Sequence, residues 1–122
     1  MEMKNIIKHF FSLILFTILA ANCNSSVSSG ENHEWVKNLI LKFETEPVGN
    51  PPQSIWQYEY KSQIVYYVPP QCCDEYSNLY DKNGEFICAP DGGITGRGDG
   101  LCPDFFQDRK NEKLIWKDKL ER

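Results

Sequence analysis

The sequence predicts an α+β domain: an N-terminal helix packed on a small antiparallel sheet of hairpins, stapled by two disulfides, with a short C-terminal helix and a possible edge strand. Three observations predict this class. The spacing of apolar residues changes from three and four to two along residues 33–68, an Asn-Gly pair marks a tight turn at residues 83 and 84, and four cysteines fall between residues 72 and 102. The predicted single domain covers residues 33–122.

Residues 1–22 have the features of a secretory signal peptide. Lys4 and Lys8 precede an apolar and small run of 12 residues, from Phe10 to Ala21. Since a membrane-spanning helix needs about 20 apolar residues, the run fits the hydrophobic part of a signal and is too short to span a bilayer.

Cys23 follows this signal directly, and the stretch from Leu19 to Cys23 resembles a bacterial lipobox, in which the cysteine carries acyl chains. Asn22 departs from the usual Gly, Ala or Ser at its position, so ordinary cleavage to a soluble secreted protein stays the alternative. The chain has five cysteines, and lipidation of Cys23 leaves four that can all pair. We therefore expect a membrane anchor at Cys23 and a polar tether over residues 23–32.

The first element of the domain is an amphipathic helix in HEWVKNLILKFETEP. Its apolar residues recur at spacings of three and four, as one buried helix face requires. They are Trp35, Val36, Leu39, Ile40 and Phe43. The helix is predicted to end before Pro47, and residues 49–52 predict an irregular connection.

Two strands follow this connection. In SIWQYEY, residues 54–60, Trp56, Tyr58 and Tyr60 alternate with polar residues, which is typical of a half-buried antiparallel strand. QIVYYV, residues 63–68, is the next strand. Because only two residues separate them, we expect a hairpin, although its turn has neither Gly nor Asn.

A second hairpin is predicted in NLYDKNGEFIC, residues 78–88. Asn83 and Gly84 tolerate the left-handed backbone of a type I′ turn, which would pair Tyr80 with Ile87. The second strand of this hairpin then brings Cys88 into the sheet.

The C-terminal part begins with Pro103 and Asp104, which suit the first turn of a short helix over residues 104–110. Residues 113–117 alternate around Leu114 and Trp116 and predict an edge strand. A continuous helix to residue 122 is the alternative, because short apolar runs do not decide between the two.

The four cysteines of the domain, Cys72, Cys73, Cys88 and Cys102, are predicted to form structural disulfides. Zinc and redox sites favour Cys-x-x-Cys spacing, and a catalytic cysteine needs a histidine, of which only His33 follows the signal. A bond between neighbours would close a small strained ring. Two pairings stay open: Cys72–Cys88 with Cys73–Cys102, or Cys72–Cys102 with Cys73–Cys88.

The glycine-rich stretch between Cys88 and Cys102 contains the candidate recognition loop, with Asp91, Arg97, Asp99 and, just beyond it, Asp104. We interpret it as a tight, glycine-dependent loop held by flanking disulfides. Calcium held by the three aspartates, and display of the Arg-Gly-Asp tripeptide used by integrin ligands, are the alternatives. It lacks the Lys and Ser or Thr of a phosphate-binding loop, and no cofactor and no resident metal are predicted.

The charge limits the classes of partner. Without residues 1–22, the chain has 11 Lys and Arg against 16 Asp and Glu. An acidic exported domain has no electrostatic reason to bind nucleic acid, whereas a basic protein would be attracted to it.

These stretches resemble a family of small uncharacterised bacterial exported proteins and lipoproteins. The shared block reads CCD, then LYD with a glycine turn, then a cysteine and GGITGxGDGxCPDF. The matching stretch runs from Cys72 to Phe106, and the tail EKLIWKD and the helix from Trp35 agree as well. The resemblance implies one α+β domain and an envelope location, but no activity and no catalytic residue.

The sequence therefore predicts a non-enzymatic lipoprotein of the cell envelope, periplasmic or surface-exposed, that recognises a protein or envelope component. The expected surface comprises residues 69–74 and 89–103, where rigid loops lower the ordering cost of binding. Aromatic residues near it in sequence are Tyr66, Tyr67, Tyr76, Phe105 and Phe106. Alternatives are an inhibitor of a basic hydrolase, a calcium-stabilised structural module and a small acid/base hydrolase, the last using Asp74, Glu75, Asp91 and Asp99.

Overall fold

A computed structural model gives the structure of the protein and describes residues 33–119. In chain order, the elements are α1 (Glu34–Thr45), β1 (Ser54–Tyr60), β2 (Gln63–Val68), β3 (Asn78–Asp81), β4 (Phe86–Cys88), α2 (Phe105–Asp108) and β5 (Lys110–Lys117). The strands form one antiparallel sheet in the order β4-β3-β2-β1-β5. The predicted α+β class, a helix with a small sheet and two disulfides, is confirmed.

Helix α1 packs against one face of this sheet. Val36 is fully buried there, and the ring of Phe43 stacks on that of Trp116 with their centroids 5.9 Å apart. The indole N–H of Trp35 donates a hydrogen bond to the carbonyl oxygen of Lys82 at 2.9 Å. The start of α1 is thereby tied to the turn between β3 and β4.

The opposite face of the sheet holds a second apolar cluster centred on Phe105 of α2. Its ring is fully buried and lies edge-on to Tyr58 and Tyr60, with centroid distances of 5.6 and 5.3 Å. Trp56 packs against the same cluster. The predicted alternation of β1, with Trp56, Tyr58 and Tyr60 on one face, is therefore confirmed.

The two predicted hairpins differ in outcome. Between β1 and β2, Lys61 and Ser62 have φ angles of 50° and 62°, so this turn adopts left-handed backbone without Gly or Asn, and the hairpin is confirmed. Between β3 and β4 the predicted hairpin also forms, but only Gly84 of its turn is left-handed, with φ of 86°, so the predicted type I′ turn is wrong.

The register of the β3–β4 hairpin is also different from the prediction, because Tyr80 pairs with Phe86 and not with Ile87. The carboxylate of Asp81 accepts hydrogen bonds from the backbone N–H groups of Asn83 and Glu85, at 2.7 and 3.0 Å. These contacts stabilise a three-residue loop, which shifts the pairing by one residue.

Of the two predictions for the C-terminal part, the short helix followed by an edge strand is confirmed. A four-residue helix, α2, is followed by β5, which is an edge strand and pairs with β1. The strand is longer than the predicted residues 113–117, and the continuous helix is wrong.

Both predicted disulfide pairings are wrong, since the bonds are Cys72–Cys73 and Cys88–Cys102. Cys88 at the end of β4 and Cys102 before α2 are both buried in the Phe105 cluster, with their Cα atoms 6.2 Å apart. Cys72 and Cys73 lie exposed on the turn after β2, where Cys73 has φ of 57°. Because one pair lies in the core and the other on the surface, each cysteine bonds to its nearest partner.

No helix within residues 33–119 is long and apolar enough to span a membrane. Two disulfides in so small a domain point to an oxidising compartment, as in proteins of the envelope or the extracellular space. The predicted signal peptide, the tether and Cys23 lie outside the described residues.

Candidate recognition site

Residues 89–103, here called the glycine loop, connect β4 to α2. The Cys88–Cys102 bond joins the chain just before this loop to its last residues. Both cysteines pack with Phe105, Tyr67 and Leu79 on the sheet face opposite α1. The base of the loop is therefore part of the apolar core, while its middle lies at the surface.

Hydrogen bonds hold the first part of the glycine loop against the sheet. The hydroxyl of Tyr67 donates to Oδ1 of Asp91 at 2.9 Å. The backbone N–H and the hydroxyl of Ser77 both donate to the carbonyl oxygen of Asp91 at 3.1 Å, and the N–H of Asp91 donates back to the Ser77 hydroxyl. Ser77 is fully buried, so these bonds are shielded from water.

The later part of the loop is closed on itself by Asp99. Its Oδ2 accepts a hydrogen bond from the N–H of Ala89 and its Oδ1 accepts one from the N–H of Leu101, both at 2.9 Å. The N–H of Asp99 donates in turn to the carbonyl oxygen of Ala89. Both carboxylate oxygens of Asp99 are thus used inside the loop.

Glycine is required where the loop passes close to other backbone. Gly98 has φ of 67°, and a Cβ there would overlap the carbonyl oxygen of Ala89. Gly92 has φ of 83°, and a Cβ there would overlap the carbonyl oxygen of Glu75. Gly98 thus lets the two ends of the loop approach each other, and Gly92 lets the loop approach the turn after β2.

This loop presents apolar side chains to solvent, one in its middle and one near its end. Ile94 is 90% exposed and Leu101 is 72% exposed. Tyr76, whose backbone pairs with Gly92, is 55% exposed and lies with its ring against Gly93. Arg97 is also exposed, so the surface of the loop combines apolar groups with a cation.

The structure does not bring the four predicted loop residues together. Asp91 and Asp99 make the internal hydrogen bonds described above, and Arg97 faces solvent. Asp104 lies elsewhere, where it accepts a hydrogen bond from Tyr60 at 2.6 Å and pairs with Lys61 at 3.0 Å. Within residues 33–119, no group of three acidic, cysteine or histidine side chains is placed to hold a metal ion.

The aromatic residues expected near the loop divide between the two faces of the sheet. Tyr67, Phe105 and Phe106 lie on the loop side, where the Tyr67 and Phe106 rings are 5.7 Å apart. Tyr66 lies on the other face and contacts Trp35. Successive residues of a strand point to opposite faces, so Tyr66 cannot belong to a surface formed by Tyr67.

The four acidic residues considered for acid/base hydrolysis lie in two different settings. Asp74 and Glu75 are exposed on the turn after β2, whereas Asp91 and Asp99 are held by hydrogen bonds inside the loop. A surface depression of about 440 Å³ lies at the far ends of the hairpins, lined by Gln63, Ile64 and Lys82 among others. None of the four acidic residues lines it.

Arg109 makes ring contacts that no pattern in the sequence predicted. Its guanidinium lies over the rings of Tyr58 and Phe106, at 4.6 and 4.8 Å from their centroids, and donates to the Tyr58 hydroxyl at 3.1 Å. That hydroxyl donates to Glu112 of β5 at 2.6 Å. No periodic pattern marks Arg109, because the contact depends on how α2 folds back over the sheet.

Burial is the main cause of the tyrosine pKa shifts on this face. It raises the pKa of Tyr58 to about 12, with a further contribution from the hydrogen bond to Glu112. Burial and then the Asp91 contact raise the pKa of Tyr67 well above its usual value. The Tyr60 hydrogen bond, followed by that of Lys61, lowers the pKa of Asp104. The raised pKa values keep the hydroxyls of Tyr58 and Tyr67 protonated into alkaline pH, where they continue to donate to Glu112 and Asp91.

A family model described as "Domain of unknown function (DUF6970)" matches residues 41–118, from the last turn of α1 through β5. No curated protein and no solved structure matches the chain.

Proposed function

Because the chain belongs to the DUF6970 family, whose description assigns no activity, we propose a function from the site itself: a non-enzymatic recognition module of the cell envelope. In this proposal, the exposed middle of the glycine loop binds another protein. Cys23 carries the lipid that holds the module at the membrane. The proposed function requires no cofactor.

The exposure of Ile94 supports the proposal most directly. An isoleucine that is 90% exposed gains nothing from folding, and here it lies on a loop fixed by a disulfide, by Asp91 and by Asp99. A rigid loop binds with a smaller loss of conformational entropy than a flexible one. Contiguous exposed apolar surface marks protein-binding sites, and the exposed ring of Tyr76 lies against Gly93, the neighbour of Ile94 in the chain.

The charge supports a protein as the partner and disfavours nucleic acid. The chain has a formal net charge of −4 at pH 7, and Asp74 and Glu75 are exposed on the turn next to the loop. Phosphate backbones are repelled by such a surface, whereas a basic protein is attracted to it. This charge favours one specific version, in which the module inhibits a basic hydrolase.

Site-specific photo-cross-linking in the producing organism tests the recognition function. A benzophenone amino acid replaces Ile94 in the full chain, and the matched control carries it at Leu41, which is 59% exposed on α1. We expect a discrete protein adduct from position 94 that is absent from position 41. Equal adduct patterns at both positions, or no adduct at position 94, would contradict the proposal.

The inhibitor version has its own measurement. The purified protein is added to basic hydrolases of the lysozyme type, with an Ile94→Ser/Leu101→Ser variant as the control. We expect the wild type to lower the rate of one of them and the variant to lower it less. Unchanged rates with the wild type would leave only the general recognition function.

The envelope location is tested by the intact mass of the protein purified from membranes. We expect the mass of a chain that begins at Cys23 and carries acyl groups. An unmodified chain that begins near residue 22 would instead assign the protein to the soluble secreted alternative.

A further inference from the structure

The two disulfides of the domain lie in opposite environments. Cys88 and Cys102 are 1% and 4% exposed and are surrounded by the Phe105 cluster. Cys72 and Cys73 are both exposed, on the turn that follows β2. Thiol–disulfide exchange needs a thiolate to approach a sulfur atom. A thiolate in solution can therefore reach the Cys72–Cys73 bond, whereas the Cys88–Cys102 bond is covered.

The position of Cys72–Cys73 also shows that this bond is not needed to hold distant elements together. Its cysteines are neighbours in sequence, so it closes only the small ring formed by these two residues and no longer loop of the chain. The turn around it has its own hydrogen bond, from the N–H of Glu75 to the carbonyl oxygen of Cys72 at 3.1 Å. A disulfide stabilises mainly by closing a long loop, so opening this one should leave the domain folded.

We propose that Cys72–Cys73 is a thiol–disulfide exchange site, and that its substrate is a protein dithiol of the thioredoxin class. A thiolate of the partner attacks one sulfur of the pair, breaks the Cys72–Cys73 bond and forms a mixed disulfide. The second thiol of the partner then attacks the partner's own sulfur in the mixed disulfide and releases the cysteine of the domain. Two electrons and two protons pass to the domain, which ends with two thiols, while the partner ends with a disulfide.

Charge favours a protein dithiol over a small anionic thiol such as glutathione. Asp74 and Glu75 follow the pair directly and are both exposed. They repel an anionic thiol, and a protein surface with a neutral or basic rim around its thiols has no such barrier. This inference does not depend on the proposed recognition function.

Differential alkylation of the full chain measures the selectivity. The protein is treated with increasing concentrations of reduced thioredoxin or of glutathione, and new thiols are alkylated and located by tryptic peptide mapping. Cleavage separates the two pairs, since it occurs at Lys61, Lys82, Arg97 and Arg109. We expect complete alkylation of Cys72 and Cys73 at thioredoxin concentrations that leave Cys88 and Cys102 paired.

A trapping experiment tests the mechanism. Thioredoxin whose resolving cysteine is replaced by serine should form a mixed disulfide with the wild type and none with a Cys72→Ser/Cys73→Ser variant. Simultaneous reduction of both bonds would overturn the proposal, as would a trapped adduct at Cys88 or Cys102, or alkylation of Cys72 and Cys73 before any reductant is added. A response to glutathione equal to that of thioredoxin would overturn the choice of substrate.

Discussion

The hydroxyl of Tyr67 on β2 donates a hydrogen bond to the carboxylate of Asp91 in the glycine loop, across 24 positions of the chain. The backbone carbonyl oxygen of Asp91 also accepts hydrogen bonds from the N–H and the hydroxyl of Ser77. The loop is thus attached to the middle of the sheet by a side chain that belongs to the core. This attachment and the Cys88–Cys102 bond together hold the loop against the sheet.

Replacing Tyr67 by phenylalanine tests this attachment. We expect Tyr67→Phe to lower the free energy of unfolding by about 1 to 2 kcal/mol, because Asp91 loses a buried donor. Hydrogen exchange of the Ser77 amide should become faster. Urea unfolding and exchange measurements check both effects. The control is Tyr66→Phe on the opposite face, and an equal change in Ser77 exchange for both variants would contradict the role of Tyr67.

Gly98→Ala should destabilise the domain more than Gly100→Ala. Both glycines are left-handed, with φ of 67° and 79°, so each alanine carries a backbone penalty of about 1 to 2 kcal/mol. A Cβ at Gly98 would also overlap the carbonyl of Ala89, whereas a Cβ at Gly100 would meet open space. Urea unfolding of the two variants measures the difference, and equal losses would show that the loop accommodates the added carbon.

Alkaline pH should destabilise the domain. Burial and the Glu112 contact raise the pKa of Tyr58 from 10.0 to about 12, so the folded state keeps a proton that the unfolded state loses. The free energy of unfolding should therefore decrease as pH rises from 10 to 12. Chemical unfolding at several pH values measures the slope. The Tyr58→Phe variant should show a shallower slope, and an unchanged slope would mean that Tyr58 titrates normally.

Arg109→Lys should destabilise the domain although the charge is kept. A lysine cannot lie flat over the rings of Tyr58 and Phe106 or hold the fork that reaches the Tyr58 hydroxyl. We expect a loss of about 1 kcal/mol in the free energy of unfolding, measured in urea. Arg97→Lys, on the exposed part of the glycine loop, is the matched control and should have no measurable effect.

The sequence predicted those elements whose residues carry a local signal. The three- and four-residue spacing from Trp35 to Phe43 predicted α1, and the alternation of Trp56, Tyr58 and Tyr60 predicted the buried face of β1. The glycines between Cys88 and Cys102 predicted a tight loop, and the structure shows backbone contacts that exclude a Cβ at Gly92 and Gly98.

Features that depend on distant contacts were not predictable in this way. The register of the β3–β4 hairpin follows from the Asp81 carboxylate, which an Asn-Gly rule ignores. The disulfide pairing follows from which cysteines are buried, and Cys88 is buried in the cluster that contains Phe105 of α2. Arg109 gains its contacts by the same packing, so spacing along the chain carries no sign of it.

The pairing of β1 with β5 has a consequence for how a newly made chain folds. Tyr58 and Glu112, which bond across these strands, are 54 positions apart, so this pairing joins distant parts of the chain and raises the contact order of the domain. Until residues 110–117 are available, β1 is an unpaired edge with alternating aromatic side chains, the kind of surface from which aggregation starts. A shortened molecule that ends before Lys110 should thus be prone to self-association, because β1 then keeps one edge without a partner strand.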